Sequence, residues 1–188
     1  DQKPAPSLDV VGSKEHMETA QDLTDQSITI VNLPKAGLPE LGDDPLFLGT
    51  MAYRSTIAST PPDERYVFVR YMQEQLGGTA KITPPTPTKE EIEEIIQSIE
   101  RGAPPSSLVF NTYNGHIQPG QLELAQALAK LNIPMVVVAL RNPYDLADIP
   151  KHVTTIAAFE NSDRAFLAVK KVLTGKRKAT GVLPVALG

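Results

Sequence analysis

Apolar residues along this chain come in two rhythms. Short runs that are apolar at nearly every position alternate with longer stretches in which apolar residues return every three or four places. PLFLGTMAY, SLVFNTY, MVVVAL and TTIAAF are runs of the first kind, and the first reads as a strand from about Leu46 to Ala52. A strand apolar at every position is buried on both faces, as in a parallel sheet covered by helices on each side. AKITPP gives a shorter strand, and SITIVNLP gives a β-rich run that fits a sheet edge or an extended brace.

The second rhythm marks helices. Ser13 caps a helix carrying Met17, Ala20 and Leu23 on one side. Thr60, Pro61, Pro62 and Asp63 form a helix start, and Phe68, Val69, Met72 and Leu76 make the stripe that follows until Gly77 and Gly78 stop it. Thr88 with Glu91 is a capping box ahead of Ile92, Ile95, Ile96 and Ile99, the clearest amphipathic pattern in the chain. Pro119 opens a helix to about Leu131, and Ser162 caps a last one carrying Phe166, Val169, Val172 and Leu173. Strands alternating with helices predict a three-layer α/β/α sandwich with a mostly parallel sheet, spanning residues 13–188. Residues 1–12, with Pro4, Pro6 and Gly12, read as a linker or interdomain arm. The Pro-rich TPPTPT at 83–88 joins a strand to a helix and is expected to ride the surface.

Composition narrows the function classes. The chain has 188 residues, enough for one domain with a real core. Eighteen Lys and Arg against 22 Asp and Glu give a net charge of −4, which disfavours a broad nucleic-acid surface. There is no cysteine, so disulfides and thiolate metal sites are excluded. No apolar run reaches the roughly 20 residues of a membrane helix, and the start DQKPAPSLDVV lacks the pattern of a signal peptide. A first residue that is Asp rather than Met fits a segment of a longer protein, with a partner domain expected upstream.

Ligands of open α/β sheets meet the loops beyond the carboxyl ends of the parallel strands. Here these are AYRSTIAST, NTYNGHIQ, RNPYDLADI and FENS, which offer Arg54, Asn114, His116, Arg141, Asn142, Asp145, Glu160 and Asn161. Asn114, His116, Arg141, Asn142 and Asp145 are the candidate cleft-rim or ligand-contact residues. Pro143, Tyr144 and Asp145 read equally as an ordered sheet exit, with Pro fixing the backbone, Tyr covering the sheet's end and Asp binding turn amides.

Other chemistries lack their patterns. A dinucleotide turn needs several glycines where the chain has Gly49 alone, and TGKRKATG lacks the spacing of a phosphate cradle. Lys170, Lys171, Lys176, Arg177 and Lys178 instead read as a solvated basic helix end. His16, His116 and His152 include no pair four apart, so no metal and no cofactor is expected. Ser55 and Ser59 lack the strand-to-helix turn of a hydrolase nucleophile, and Asp145 with Asp148 fits a turn better than a glycosidase pair.

The ordered succession of SITIVN, NTYNGHIQPGQLELAQAL, IPMVVVALRNPYDLADIP and TTIAAFENSDRAFLAVKKVLTGKRKATGVLPVAL resembles the C-terminal α/β sandwich domain of glycoside hydrolase family 3. It is most similar to the branch of bacterial β-N-acetylglucosaminidases (β-N-acetylhexosaminidases), over residues 12–188. Pro119, Gly120 and Gln121, then Pro143, Tyr144 and Asp145, then Gly181, Leu183 and Pro184, stand in the family's order. The resemblance implies retaining hydrolysis of β-linked N-acetylglucosamine, with the aspartate nucleophile and a His–Asp acid/base on a separate N-terminal (β/α)8 barrel. That barrel would be this domain's partner, and the carbohydrate would be met only indirectly. In the glucosidase and xylosidase branches the second domain adds an acid/base glutamate. The corresponding loop NTYNGHIQ has no carboxylate, so that role does not carry over and no catalytic residue is assigned here. The resemblance also implies an extracellular or cell-envelope setting and a role in cell-wall recycling. Two other readings stay open: an independent α/β module binding a sugar or small metabolite, and an autonomous hydrolase using Asp145 or Glu160.

Overall fold

The computed structural model describes residues 12–52 and 67–187. Six strands form one sheet: β1 (Thr29–Asn32), β2 (Pro45–Thr50), β3 (Thr79–Thr83), β4 (Ser107–Thr112), β5 (Met135–Ala139) and β6 (Thr154–Ala157). Their order across the sheet is β1-β6-β5-β4-β2-β3. All neighbours are parallel except β1, which lies antiparallel to β6 at one edge with an irregular register between Ile30 and Asn32. The β-rich run at Thr29 is thus an edge strand. At the opposite edge β3 grows more buried along its length, from exposed Thr79 through half-buried Ala80, Lys81 and Ile82 to buried Thr83.

The helices are α1 (Lys14–Ser27), α2 (Phe68–Leu76), α3 (Lys89–Arg101), α4 (Pro119–Leu128) and α5 (Asp163–Leu173). Successive strand residues point to opposite faces, so a run apolar throughout needs cover on both. Phe47, Val109, Val136, Val138 and Ile156 meet α2 and α5 through Phe68, Met72, Phe166 and Val169. Leu48, Leu108, Phe110, Val137 and Ala139 meet α3 and α4 through Ile92, Ile95, Leu124 and Leu128. The result is a three-layer α/β/α sandwich with a mixed, mostly parallel sheet. Each fully buried side chain of this size contributes roughly 1.5–3 kcal/mol of transfer free energy.

Local chemistry sets the ends. Thr88 accepts from the Glu91 amide and Glu91 accepts from the Thr88 amide, completing the capping box of α3. The predicted start at Thr60–Asp63 lies outside the described residues, as do Arg54, Ser55 and Ser59. α4 ends at Leu128 rather than Leu131, because Lys130 and Leu131 bond back three residues and Asn132 turns left-handed at φ 53°. In the Pro-rich loop Pro85 and Thr86 are exposed, but Pro87 is buried against Gly120, where an added Cβ would strike its backbone.

Two sequence expectations are corrected near the chain's ends. α1 has a polar contact face instead of an apolar one: Met17 and Leu23 are exposed, while Asp25 is its buried residue. The basic residues in the last turn of α5 and just beyond it are not simply solvated. Lys171 Nζ lies 2.6 Å and Arg177 Nη1 3.0 Å from Asp25 Oδ2, and Gln21 donates to Asp25 Oδ1. Burial works against the charge of Asp25, but hydrogen bonds from Lys171 and Gln21 and the positive charges of Lys171 and Arg177 outweigh it, holding the carboxyl below its usual range. The cluster ties α1, α5 and the tail together, and Gly181 N–H adds a bond to Ile28 C=O.

Candidate functional site

The chain runs from β2 to β3 on one side and then to β4 on the other, so the sheet's topological switch point lies between β2 and β4. Open α/β sheets place ligands outside the carboxyl ends of the strands at such a point. The loop after β4, residues 113–118, borders it. The loop after β5, residues 140–149, stands next to that.

Asp145 joins the two loops. It sits in a 3₁₀ turn, Pro143–Leu146, and is 0% exposed. Its Oδ2 accepts from Thr112 Oγ1 at 2.7 Å and Gly115 N–H at 2.8 Å. Its Oδ1 accepts from His116 N–H at 2.9 Å and contacts His116 Nδ1 at 2.9 Å. The expectation that Asp145 binds turn amides is met across strands: the amides belong to the loop after β4. Both oxygens are used, so this carboxylate has no lone pair aimed at a substrate carbon.

The same loop is fixed from its other side. Asn114 turns left-handed at φ 55°, a conformation Asn tolerates, and its carbonyl accepts from the Ile117 and Gln118 amides. Gly115 passes so close that a Cβ there would lie 2.9 Å from Leu122 Cδ2 and 3.3 Å from the Asp145 carboxyl carbon. Gln121, fully buried on α4, accepts from Tyr113 N–H and donates to the Tyr113 and Pro85 carbonyls. Sequence reasoning passed over Gln121 as a site residue. Its signal was the amide at the third position of a helix opened by Pro119 beside a strand exit.

The remaining candidates cluster around this frame. Asn142 caps the 3₁₀ turn, its Oδ1 accepting from Tyr144 N–H at 3.1 Å, and its Nδ2 lies 3.3 Å from His116 Nε2. Arg141 donates to Tyr113 Oη at 3.1 Å and stands over that ring at 5.7 Å. Tyr144 is 46% exposed. Glu160 pairs with Arg164 at 3.5 Å on the loop before α5. Asp148 enters through its carbonyl, which accepts from Gln126. His152 Nε2 contacts Ala129 C=O at 3.0 Å beside a concavity of about 560 Å³ that lies at the amino ends of β5 and β6, away from these residues. Among the described residues no three His, Asp or Glu side chains converge as a metal would need, and no helix is long and apolar enough to cross a membrane.

No family model and no curated protein matches the chain. Solved structures do. A glycoside hydrolase family 3 β-N-acetylglucosaminidase from Paenibacillus sp. str. FPU-7 aligns with a TM-score of 0.78 and 25% identity, over 100% of this chain and 35% of that one. The chain is a structural homologue of glycoside hydrolase family 3 enzymes. A fungal multi-domain β-N-acetylglucosaminidase of family 3 aligns with a TM-score of 0.74 at 24% identity, over 96% of this chain and 20% of that one. A β-glucosidase from Listeria innocua, solved with isofagomine, gives 0.65 at 14% identity, over 93% of this chain and 27% of that one, and shows the shared fold alone. The chain thus spans about a third of the first family 3 structure and a fifth of the second. Such coverage supports an accessory α/β domain role.

Proposed function

We propose that this chain is the accessory α/β domain of a retaining β-N-acetylglucosaminidase that removes terminal β-linked N-acetylglucosamine. In this reading the nucleophile and a His–Asp acid/base lie on a (β/α)8 barrel of the same parent protein, and this domain buttresses the barrel and borders its cleft. The observation that carries it is the alignment along the whole chain with only 35% of a β-N-acetylglucosaminidase from Paenibacillus sp. str. FPU-7. The site chemistry agrees. The loop after β4 offers no carboxylate, and Asp145 spends both oxygens on holding that loop. A retaining glycosidase needs a free carboxylate nucleophile beside the sugar, and Asp145, with both oxygens engaged, is not one.

The test has two arms. The isolated chain is expected to leave 4-nitrophenyl β-N-acetylglucosaminide intact, whereas the full translation product of its gene is expected to hydrolyse it in preference to the β-glucoside. Turnover by the isolated chain that vanishes on changing Asp145 or Glu160 would overturn the reading. So would a full product that prefers the glucoside.

A further inference from the structure

The hydrogen bonds around His116 fix its tautomer from both sides. Nδ1 faces a carboxylate oxygen that is already accepting from a backbone amide, so Nδ1 must carry the proton. The Asn142 amide is oriented by the Tyr144 N–H that its Oδ1 accepts, which turns Nδ2 as a donor toward His116 Nε2. In the neutral ring Nε2 is therefore the lone-pair acceptor. At 3.3 Å the Asn142 contact is long for a hydrogen bond, and the His116 side chain is 31% exposed. An acceptor and a donor thus stand side by side at the carboxyl edge, next to the switch point. Ile117 at 61% exposure and Tyr144 at 46% add apolar surface from the two flanking loops.

We propose that His116 Nε2 and Asn142 Nδ2 form a binding site for a vicinal diol of an uncharged sugar, with Asp145 as the positioning residue that holds the ring by its Nδ1 proton and so presents Nε2. Neighbouring ring hydroxyls are spaced to match. One O–H donates to Nε2 while the next oxygen accepts from Nδ2, replacing the long contact between the two side chains. Tyr144 and Ile117 offer apolar surface to the ring's C–H groups. The ligand class rests on the carbohydrate reading above; the donor–acceptor pairing rests on geometry alone.

The experiment is a titration of the ¹⁵N-labelled chain with methyl β-N-acetylglucosaminide and with its 3-deoxy analogue, which lacks the ring's vicinal diol. The expected starting state of the neutral ring is a protonated Nδ1 and a bare Nε2 on His116. The glycoside should move Nε2 saturably, and the deoxy sugar should bind about tenfold more weakly, the worth of one hydrogen bond of this kind. His116→Ala should weaken binding at least about tenfold, while His116→Gln, which keeps an acceptor near the same point, stays within about threefold. His116 is partly exposed, so both variants should remain folded. Asp145→Asn should release the tautomer and weaken binding without moving shifts in the β5 core. An unmoved His116 Nε2, a neutral ring whose proton sits on Nε2 rather than Nδ1, or equal binding of the two sugars would each overturn the proposal. Because the readout is binding, it can fail while the full gene product still hydrolyses its substrate, and the reverse also holds.

Discussion

Asp145 shows how one buried carboxylate can set the shape of two loops. Replacing it with Ala would leave Thr112 Oγ1 and the amides of Gly115 and His116 without their acceptor in a site closed to water. A loss of about 3 kcal/mol in urea unfolding is expected, with roughly half of that for Asp145→Asn, which keeps one oxygen. Asp25 has a different signature, readable by pH. Its carboxyl is depressed in the folded state, so its contribution is present above the unfolded carboxylate value near about 4 and is lost as pH falls through the lower folded value. Asp25→Asn should lower stability at pH 7 and flatten the acid limb of a stability–pH curve relative to the parent. Neither residue's role was legible locally. Asp145 and His116 are 29 positions apart, and Asp25 meets Lys171 across 146, so only the closure of the sheet brings the partners together. What the sequence did expose was that Asn114, His116, Arg141, Asn142 and Asp145 all follow strands of one parallel sheet.

Among the elements, α3 was the most readable. Thr88, Glu91 and the isoleucines at 92, 95 and 99 agree in cap and stripe, and the helix forms as read. Thr88→Ala should cost about 1 kcal/mol, with faster hydrogen exchange confined to the first turn of α3. α1 was the least readable. Its Met17 and Leu23 imitate an apolar stripe, yet the helix docks on α5 through Gln21 and Asp25. Periodicity reports which side is apolar, not which side is covered, and a polar cluster with matched charges can win the contact. The exit PYDL was read as an ordering device, and its order indeed comes from Pro143 and the Asn142 cap. The detail that it orders the neighbouring loop as well required the fold.

At the scale of the whole molecule the sandwich was legible because β2, β4, β5 and β6 are buried at every position, a demand that only helices on both faces can meet. Strand order was not. Nothing local told β1 to cross to the far side and run against β6 instead of beside β2, its neighbour in sequence. That placement covers the flank of β6, which leaves β3 as the sheet's other margin.

That margin has a consequence for how molecules meet. Among the described residues no strand pairs with the outer side of β3; an open strand edge is a template for another copy's backbone, and the cation at Lys81, midway along β3, is the kind of side chain that repels such an addition. Lys81→Val would trade that guard for a β-branched residue beside Ile82. Thioflavin fluorescence and light scattering are expected to rise on gentle warming of the variant and to stay flat for the parent, so that one ammonium group separates a molecule that remains solitary from one that recruits its own kind into fibres.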